Sequence, residues 1–145
     1  MNEAAIDSLL EAYGAGAHAP TRERWQMLLA GDPNAALVVT NLFRIRERAN
    51  PAWTGGEVLS GFESMLRYAA VSDGKVAALG GRFAVRAISQ GTLIGDEGAW
   101  NLVAVAEYPK RGQLVRLFED PEYQAAFHFR TAAVEAQQVM LGTPL

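Results

Sequence analysis

The chain has 145 residues, half of them hydrophobic and a fifth charged, which is typical of one globular domain and excludes a disordered or collagen-like chain. Sixteen acidic residues against thirteen Lys and Arg give a formal net charge of −3, which argues against nucleic acid or an anionic membrane as a partner. The sequence contains no cysteine, and this excludes disulfides, thiol nucleophiles and cysteine-ligated metal sites.

The first 35 residues predict two helices that form an N-terminal extension. Ile6, Leu9, Leu10 and Tyr13 recur at the spacing of one helical face. A second helix is expected from Pro20-Thr21 to the Gly31-Asp32-Pro33 segment, which ends it. We therefore divide the chain into an extension over 1–35 and a main domain over 36–145.

The main domain predicts alternating strands and helices. Ser60 and Glu63 form a capping box at one helix start, and Asp120-Pro121 is a strong start signal for another. The predicted elements are a strand over 36–45, a helix from 60 that stops at Asp73-Gly74, strands over 82–93 and 99–108 joined by a turn at 95–98, a short helix from 109, a helix from 120 to about 135 and a strand over 138–141. This βαββαβ order predicts an α+β fold, a ferredoxin-like four-stranded antiparallel sheet with its helices on one face.

The strand over 99–108 predicts a homodimer. Val103 and Val105 alternate with Leu102, Ala104 and Ala106, so both faces of this strand are apolar. Such a strand is buried on both faces, but the chain has no elements left to cover the second one. A second subunit is the expected cover.

Several short motifs lie between residues 36 and 142. They are Leu37-Val38-Val39-Thr40-Asn41-Leu42, Tyr68, Gly80-Gly81-Arg82, Trp100, Glu107-Tyr108-Pro109, Asp120-Pro121-Glu122-Tyr123 and Arg130. Together they resemble those of the unknown-function family 1330 of the dimeric α/β-barrel superfamily. The resemblance implies that two ferredoxin-like sheets pack into a barrel, and it carries no established reaction. Members of the superfamily include cofactor-free monooxygenases, dehydratases, isomerases and ligand-binding proteins, so enzyme and binder both stay open.

Tyr123, Phe127 and Arg130 are spaced so that two helical turns bring them onto one face. This face predicts a pocket wall in which the guanidinium binds a carboxylate, an enolate or a phosphate. The alternative is structural: Arg130 packs on the two rings and pairs with a strand acid such as Glu107.

Other arginines alternate along the predicted strands. Arg44, Arg46 and Arg48 share one face by their spacing, as do Arg82 and Arg86. Arg44 and Arg82 are candidates to converge on an anion at the barrel mouth, whereas Arg46 and Arg48 are expected in a solvated strand end.

Three further side chains are candidates for the site. Asn41 interrupts an apolar strand and either orients a ligand carbonyl or satisfies its neighbours. Tyr68 flanks the apolar stripe of its helix, where its hydroxyl either points into a cavity or lies at the helix border. His128 and Tyr68 are the candidates to move a proton in a catalytic version of the site, although His128 points about 100° away from Phe127.

The functional expectation is a soluble cytoplasmic homodimer with a small cavity in each subunit. No apolar run approaches the roughly 20 residues of a membrane span, and we expect no metal, nicotinamide or flavin because their motifs are missing. The cavity is expected to bind an anionic or carbonyl-bearing metabolite. The alternatives are a cofactor-independent enzyme and an interaction module with a filled barrel. The residues expected to line the cavity are Asn41, Arg44, Tyr68, Arg82, Tyr123 and Arg130.

Overall fold

The computed structural model describes residues 2–145, in which α-helices and β-strands follow one another in the predicted order. The elements are α1 (Glu3–Tyr13), α2 (Arg22–Ala30), β1 (Leu37–Ile45), a 3-10 helix (Pro51–Trp53), α3 (Gly61–Ala78), β2 (Arg82–Ile88), β3 (Leu102–Tyr108), α4 (Arg111–Glu119), α5 (Pro121–Ala133) and β4 (Val134–Gly142). After α2 the order is βαββαβ, with α4 and α5 together forming the second helical segment. No helix within residues 2–145 is long and apolar enough to cross a bilayer.

The four strands form one antiparallel sheet in the order β2-β3-β1-β4, which confirms the predicted ferredoxin-like arrangement. Asn41 in the centre of β1 lies opposite Ala104 of β3 and Val139 of β4. Alternate residues of β1, from Leu37 to Ile45, are buried on the face that the helices cover. We call this the covered face, and we call the other side of the sheet the open face.

The N-terminal extension shares the main hydrophobic core. Ile6 of α1 and Trp25 of α2 are almost completely buried in the cluster that contains Tyr123 and Phe127 of α5. The guanidinium of Arg111 donates to the carbonyls of Leu28 and Met27, each at 2.8 Å, and so satisfies backbone oxygens at the end of α2. The extension is therefore packed against the same helices that cover the sheet.

The predicted end of α3 at Asp73-Gly74 is wrong, because the helix continues to Ala78. A glycine inside a helix costs about 1 kcal/mol relative to alanine. Burial of Val76, two residues later, contributes about 1.5–3 kcal/mol and outweighs that cost. The helix ends where Gly80 adopts a φ of 78°, in the left-handed region that favours glycine.

The predicted β2–β3 hairpin is too tight. β2 ends at Ile88 instead of Leu93 and β3 begins at Leu102 instead of Ala99, so residues 89–101 form a long connection. Leu93 is 96% exposed, so its side chain gains no burial that would favour a longer strand. Asn101 pairs with Ile45 through its side chain, accepting from the backbone N–H at 2.8 Å, and replaces a regular ladder bond there.

The junction of α5 and β4 also differs from the prediction. The helix ends at Ala133 instead of about Glu135, and β4 starts at once with Val134 instead of at Gln138. Val134 is fully buried, and its N–H closes the helix by donating to the carbonyl of Arg130. The tight junction places the last turn of α5 directly beside the first residues of β4.

Candidate ligand-binding cavity

A cavity of about 750 Å³ lies between the covered face of the sheet and the helices. Most of its wall is apolar, with Phe43 and Ala104 from the sheet and Met65 and Phe127 from the helices. The loop between α1 and α2 contributes one side of the wall through residues 17–20. The cavity therefore combines an apolar wall with a smaller number of polar side chains, which is the usual composition of a small-molecule site.

Helix α5 contributes Arg130, the main polar group of this cavity. Asp120 caps the helix, because its carboxylate accepts from the backbone N–H groups of Glu122 at 2.9 Å and Tyr123 at 3.1 Å. From this start, Tyr123, Phe127 and Arg130 all fall on one buried face that lines the cavity, as their spacing predicts.

Arg130 is buried among aromatic rings, with 8% of its surface exposed. Its Nη2 donates to Oε1 of Gln137 at 3.0 Å, and its Nη1 donates to the hydroxyl of Tyr68 at 3.4 Å. The guanidinium carbon lies 4.9 Å from the ring centres of both Phe43 and Phe127. Its Nε is buried and has no hydrogen-bond partner among the described residues.

No carboxylate neutralises Arg130. Within residues 2–145, no Asp or Glu oxygen lies within 4 Å of its guanidinium. The structural alternative that pairs it with Glu107 is wrong, because Glu107 lies on the open face and binds Arg82. Burial opposes the charged form of Arg130, but the oxygens of Tyr68 and Tyr123 outweigh this and raise its pKa, so the cation persists at neutral pH. A buried cation without an anion is costly in free energy.

Tyr68 and Tyr123 form a hydroxyl pair next to this cation. Their oxygens are 2.6 Å apart, and the two rings meet edge to face with centres separated by 5.8 Å. Burial, together with Tyr68, raises the pKa of Tyr123 well above its ordinary value, so its hydroxyl keeps its proton. Because arginine can only donate, the oxygen of Tyr68 accepts the bond from Arg130. The corner around Arg130 is therefore rich in donors.

Asn41 lines the same cavity from the centre of the sheet. Its Nδ2 donates across the sheet to the carbonyl of Ala104 at 3.0 Å. The sequence predicted that Asn41 either orients a ligand carbonyl or bonds to its neighbours, and this hydrogen bond to β3 is the second of these uses. Asn41, Tyr68, Tyr123 and Arg130 are thus the four predicted site residues that the fold brings together.

The prediction that Arg44 and Arg82 line this cavity is wrong, because both side chains lie on the open face. Arg82 is 72% exposed and binds Glu107 at 2.8 Å, and Arg44 donates to the carbonyl of Ala99 at 2.8 Å. The expectation that Arg82 and Arg86 share a face also fails. The register shifts between Phe83 and Val85, and this irregularity turns Arg86 towards the cavity while Arg82 faces away.

The position of His128 does not suit the catalytic role considered for it. The side chain is exposed and outside the cavity, and its ring meets that of Trp53 edge to face with centres 5.6 Å apart. Tyr68, the other candidate to move a proton, does line the cavity.

Several polar residues line the cavity that the sequence patterns did not place there, among them His18, Arg86 and Gln137. His18 lies in a loop without a motif, and only the packing of the extension brings it to the cavity. Arg86 binds Asp73 with both N–O distances at 2.9 Å and stacks 4.5 Å from the centre of the Phe83 ring. Gln137 lies opposite Phe43 in the pairing of β1 with β4. This register places Gln137 beside Arg130, and the sequence alone does not reveal it.

Solved structures confirm the fold over most of the chain. The structure described as methylated RPA0582 protein is 32% identical, has a TM-score of 0.81 and covers 90% of this chain and 96% of that chain. The RPA0582 protein of unknown function from Rhodopseudomonas palustris is 31% identical, with a TM-score of 0.79 and coverage of 90% and 98%. A dimeric protein of unknown function and ferredoxin-like fold from Bacteroides fragilis is 13% identical, covers 75% of this chain and 96% of that chain, and has a TM-score of 0.48, which is too distant to carry any property over.

No curated protein matches this chain. A family model described as Domain of unknown function (DUF1330) matches residues 60–143, which is more than half of the chain. The matched segment contains Tyr68, Tyr123 and Arg130, so the donor-rich corner lies inside it, whereas Asn41 and His18 lie before it. The resemblance inferred from the motifs is confirmed, and the chain belongs to the DUF1330 family of domains of unknown function.

Proposed function

We propose that this protein binds a small molecule with a carboxylate or similar anionic group, and that Arg130 anchors this group. The observation that carries the proposal is the buried guanidinium of Arg130, which has no carboxylate within 4 Å among the described residues and leaves its Nε unpartnered. A ligand anion would supply the missing counter-charge, and a charge-assisted hydrogen bond in such an environment is strong.

The rest of the ligand is expected to be apolar and flat. The cavity volume of about 750 Å³ falls within the ordinary range for small-molecule sites. Phe43 and Phe127 flank the guanidinium, and Met65 and Ala104 extend the apolar wall beyond it. An aromatic or branched aliphatic body attached to the anionic group would bury well against these side chains.

Calorimetric titration with benzoate and benzamide tests this proposal, because the two probes share a shape and differ in charge. We expect benzoate to bind the wild-type protein more tightly than benzamide. Arg130→Gln should weaken benzoate binding by about 1.5–3 kcal/mol and leave benzamide binding nearly unchanged. Arg116→Gln is the matched control, because Arg116 is exposed and outside the cavity wall. Equal binding of benzoate by Arg130→Gln and the wild-type protein would contradict the proposal.

We also propose that two copies associate through the open face of the sheet. Val38, Val103 and Val105 lie on this face, and no element within residues 2–145 covers them. The charged residues at its edges, such as Arg82 and Glu107, neutralise each other and leave an apolar centre that suits a second copy of the same surface. Sedimentation equilibrium at micromolar concentration should show a dimer, and a stable monomer would contradict this proposal.

A further inference from the structure

His18 reaches the cavity from outside the matched family segment. It lies in the loop between α1 and α2, where residues 17–20 form part of the cavity wall. Its side chain is partly buried, and its Nδ1 is fully shielded from solvent without a hydrogen-bond partner among the described residues. An imidazole nitrogen that is shielded in this way normally has a partner. The Nδ1 of His18 and the Nε of Arg130 are therefore unpartnered nitrogens of two side chains that line the same cavity.

Two positive charges act on His18, and Asp73, an acidic residue that also lines the cavity, is paired with Arg86. Arg130 from α5 and Arg46 from the segment after β1 both act on the imidazole, and Arg24 of α2 lines the same cavity. No carboxylate within residues 2–145 lies within 4 Å of the ring. Burial, Arg46 and Arg130 together lower the pKa of His18, so the ring is neutral at neutral pH. An anion beside Arg130 would reverse the electrostatic part of this effect.

We propose that His18 is a second ligand-binding residue of the cavity, which takes up a proton from solvent and donates to the same anionic group that Arg130 holds. This inference rests on the proposed function. Its chemistry involves no covalent step: the ligand enters as an anion, and the imidazole gains one proton from water or buffer. The N-terminal extension then contributes directly to ligand recognition in addition to the core.

The proposal predicts that benzoate binding and His18 protonation are linked. Because His18 is more easily protonated beside the bound anion, benzoate affinity rises as the pH falls through the bound-state pKa of the ring. The rise ends when the pH drops below the free-state pKa, where the ring is already charged. A carboxylate probe stays ionised throughout a pH range of about 5.5 to 8, so the dependence reports on the protein.

NMR titration of the two histidine rings, with and without saturating benzoate, measures this linkage directly. We expect the His18 midpoint to rise by at least about one pH unit, which corresponds to a tenfold gain in benzoate affinity from high to low pH. His128 is the internal reference, since its ring is exposed against Trp53 and lies outside the cavity wall. An unchanged His18 midpoint in the benzoate complex would overturn the proposal.

Two variants separate this inference from the proposed function. His18→Gln should lower benzoate affinity about tenfold at pH 6 and less than about twofold at pH 8, whereas the matched control His128→Gln should change neither. If benzoate binds with full dependence on Arg130 but His18→Gln has no effect, the role of His18 is wrong and the proposed function stands. If benzoate does not bind the wild-type protein at all, both fail.

Discussion

Arginine side chains on the two sides of the sheet lie in opposite environments. On the open face, Arg82 is 72% exposed and pairs with Glu107 at 2.8 Å. On the covered face, Arg130 is 8% exposed and contacts aromatic rings, a tyrosine hydroxyl and an amide. The first arrangement is an ordinary surface ion pair of small energetic value. The second leaves a buried cation without a counter-charge, which is costly in free energy and is the basis of the proposed anion site.

The largest effect should come from one charge placed on either side of β3. Ala104→Asp puts a carboxylate into the covered face and should lower the free energy of unfolding by about 3–5 kcal/mol, because the charge is buried without a partner. Val105→Asp, its matched control, faces the open side and should leave the subunit folded while it disrupts the proposed dimer. Urea denaturation and sedimentation velocity measure the two effects. Equal destabilisation by both variants would mean that the two faces are equally buried.

The tyrosine pair should respond asymmetrically to removal of either hydroxyl. Tyr68→Phe strands the fully buried hydroxyl of Tyr123 and should cost about 1–3 kcal/mol of unfolding free energy. Tyr123→Phe leaves Tyr68 with Arg130 as a partner and should cost only about 0.5–1.5 kcal/mol. Thermal or chemical unfolding of both variants checks this order. The reverse order would mean that the hydroxyl of Tyr68, and not that of Tyr123, depends on the pair for its hydrogen bond.

Arginine removal should change stability in opposite directions on the two faces. Arg130→Met keeps the side-chain length among the rings and removes a buried unpaired charge, so the free energy of unfolding without ligand should rise by about 1 kcal/mol. Arg82→Met removes an exposed ion pair and should lower it by less than about 1 kcal/mol. Denaturation in ligand-free buffer measures both. A large loss of stability in Arg130→Met would make this residue structural and remove the basis of the anion site.

The smallest effect is expected from the open-face arginines on ligand binding. The double variant Arg44→Gln/Arg82→Gln should bind benzoate within about twofold of the wild-type protein, which is less than 0.5 kcal/mol, because neither side chain lines the cavity. Isothermal titration under the conditions used for Arg130→Gln gives the comparison. A loss similar to that of Arg130→Gln would place the anion on the open face.

The local features of the sequence predicted much of the fold and part of the site. The capping residues Ser60, Glu63 and Asp120 marked true helix starts, and the α5 spacing placed Tyr123 and Arg130 on one face. These predictions succeed because helix periodicity and capping depend on residues within one or two turns. Family membership was recognisable for the same reason, since its motifs are short segments.

Other parts of the site depend on contacts between distant segments. A register irregularity between Phe83 and Val85 separates Arg82 from Arg86, and strand spacing alone does not reveal such a shift. His18 reaches the cavity because the extension packs against α4 and α5, and the sequence of its loop contains no signal for this packing.

The sequence by itself determined the α+β class, the order of the elements and the shared face of Tyr123, Phe127 and Arg130, because these follow from periodicity and local hydrogen bonding. The tertiary structure decided whether Arg130 has an acidic partner. Glu107 sits opposite Val38 in the β1–β3 pairing, which turns its carboxylate to the open face. A shift of one residue in a strand moves a side chain through the sheet, so the missing counter-charge of Arg130 is a property of strand register.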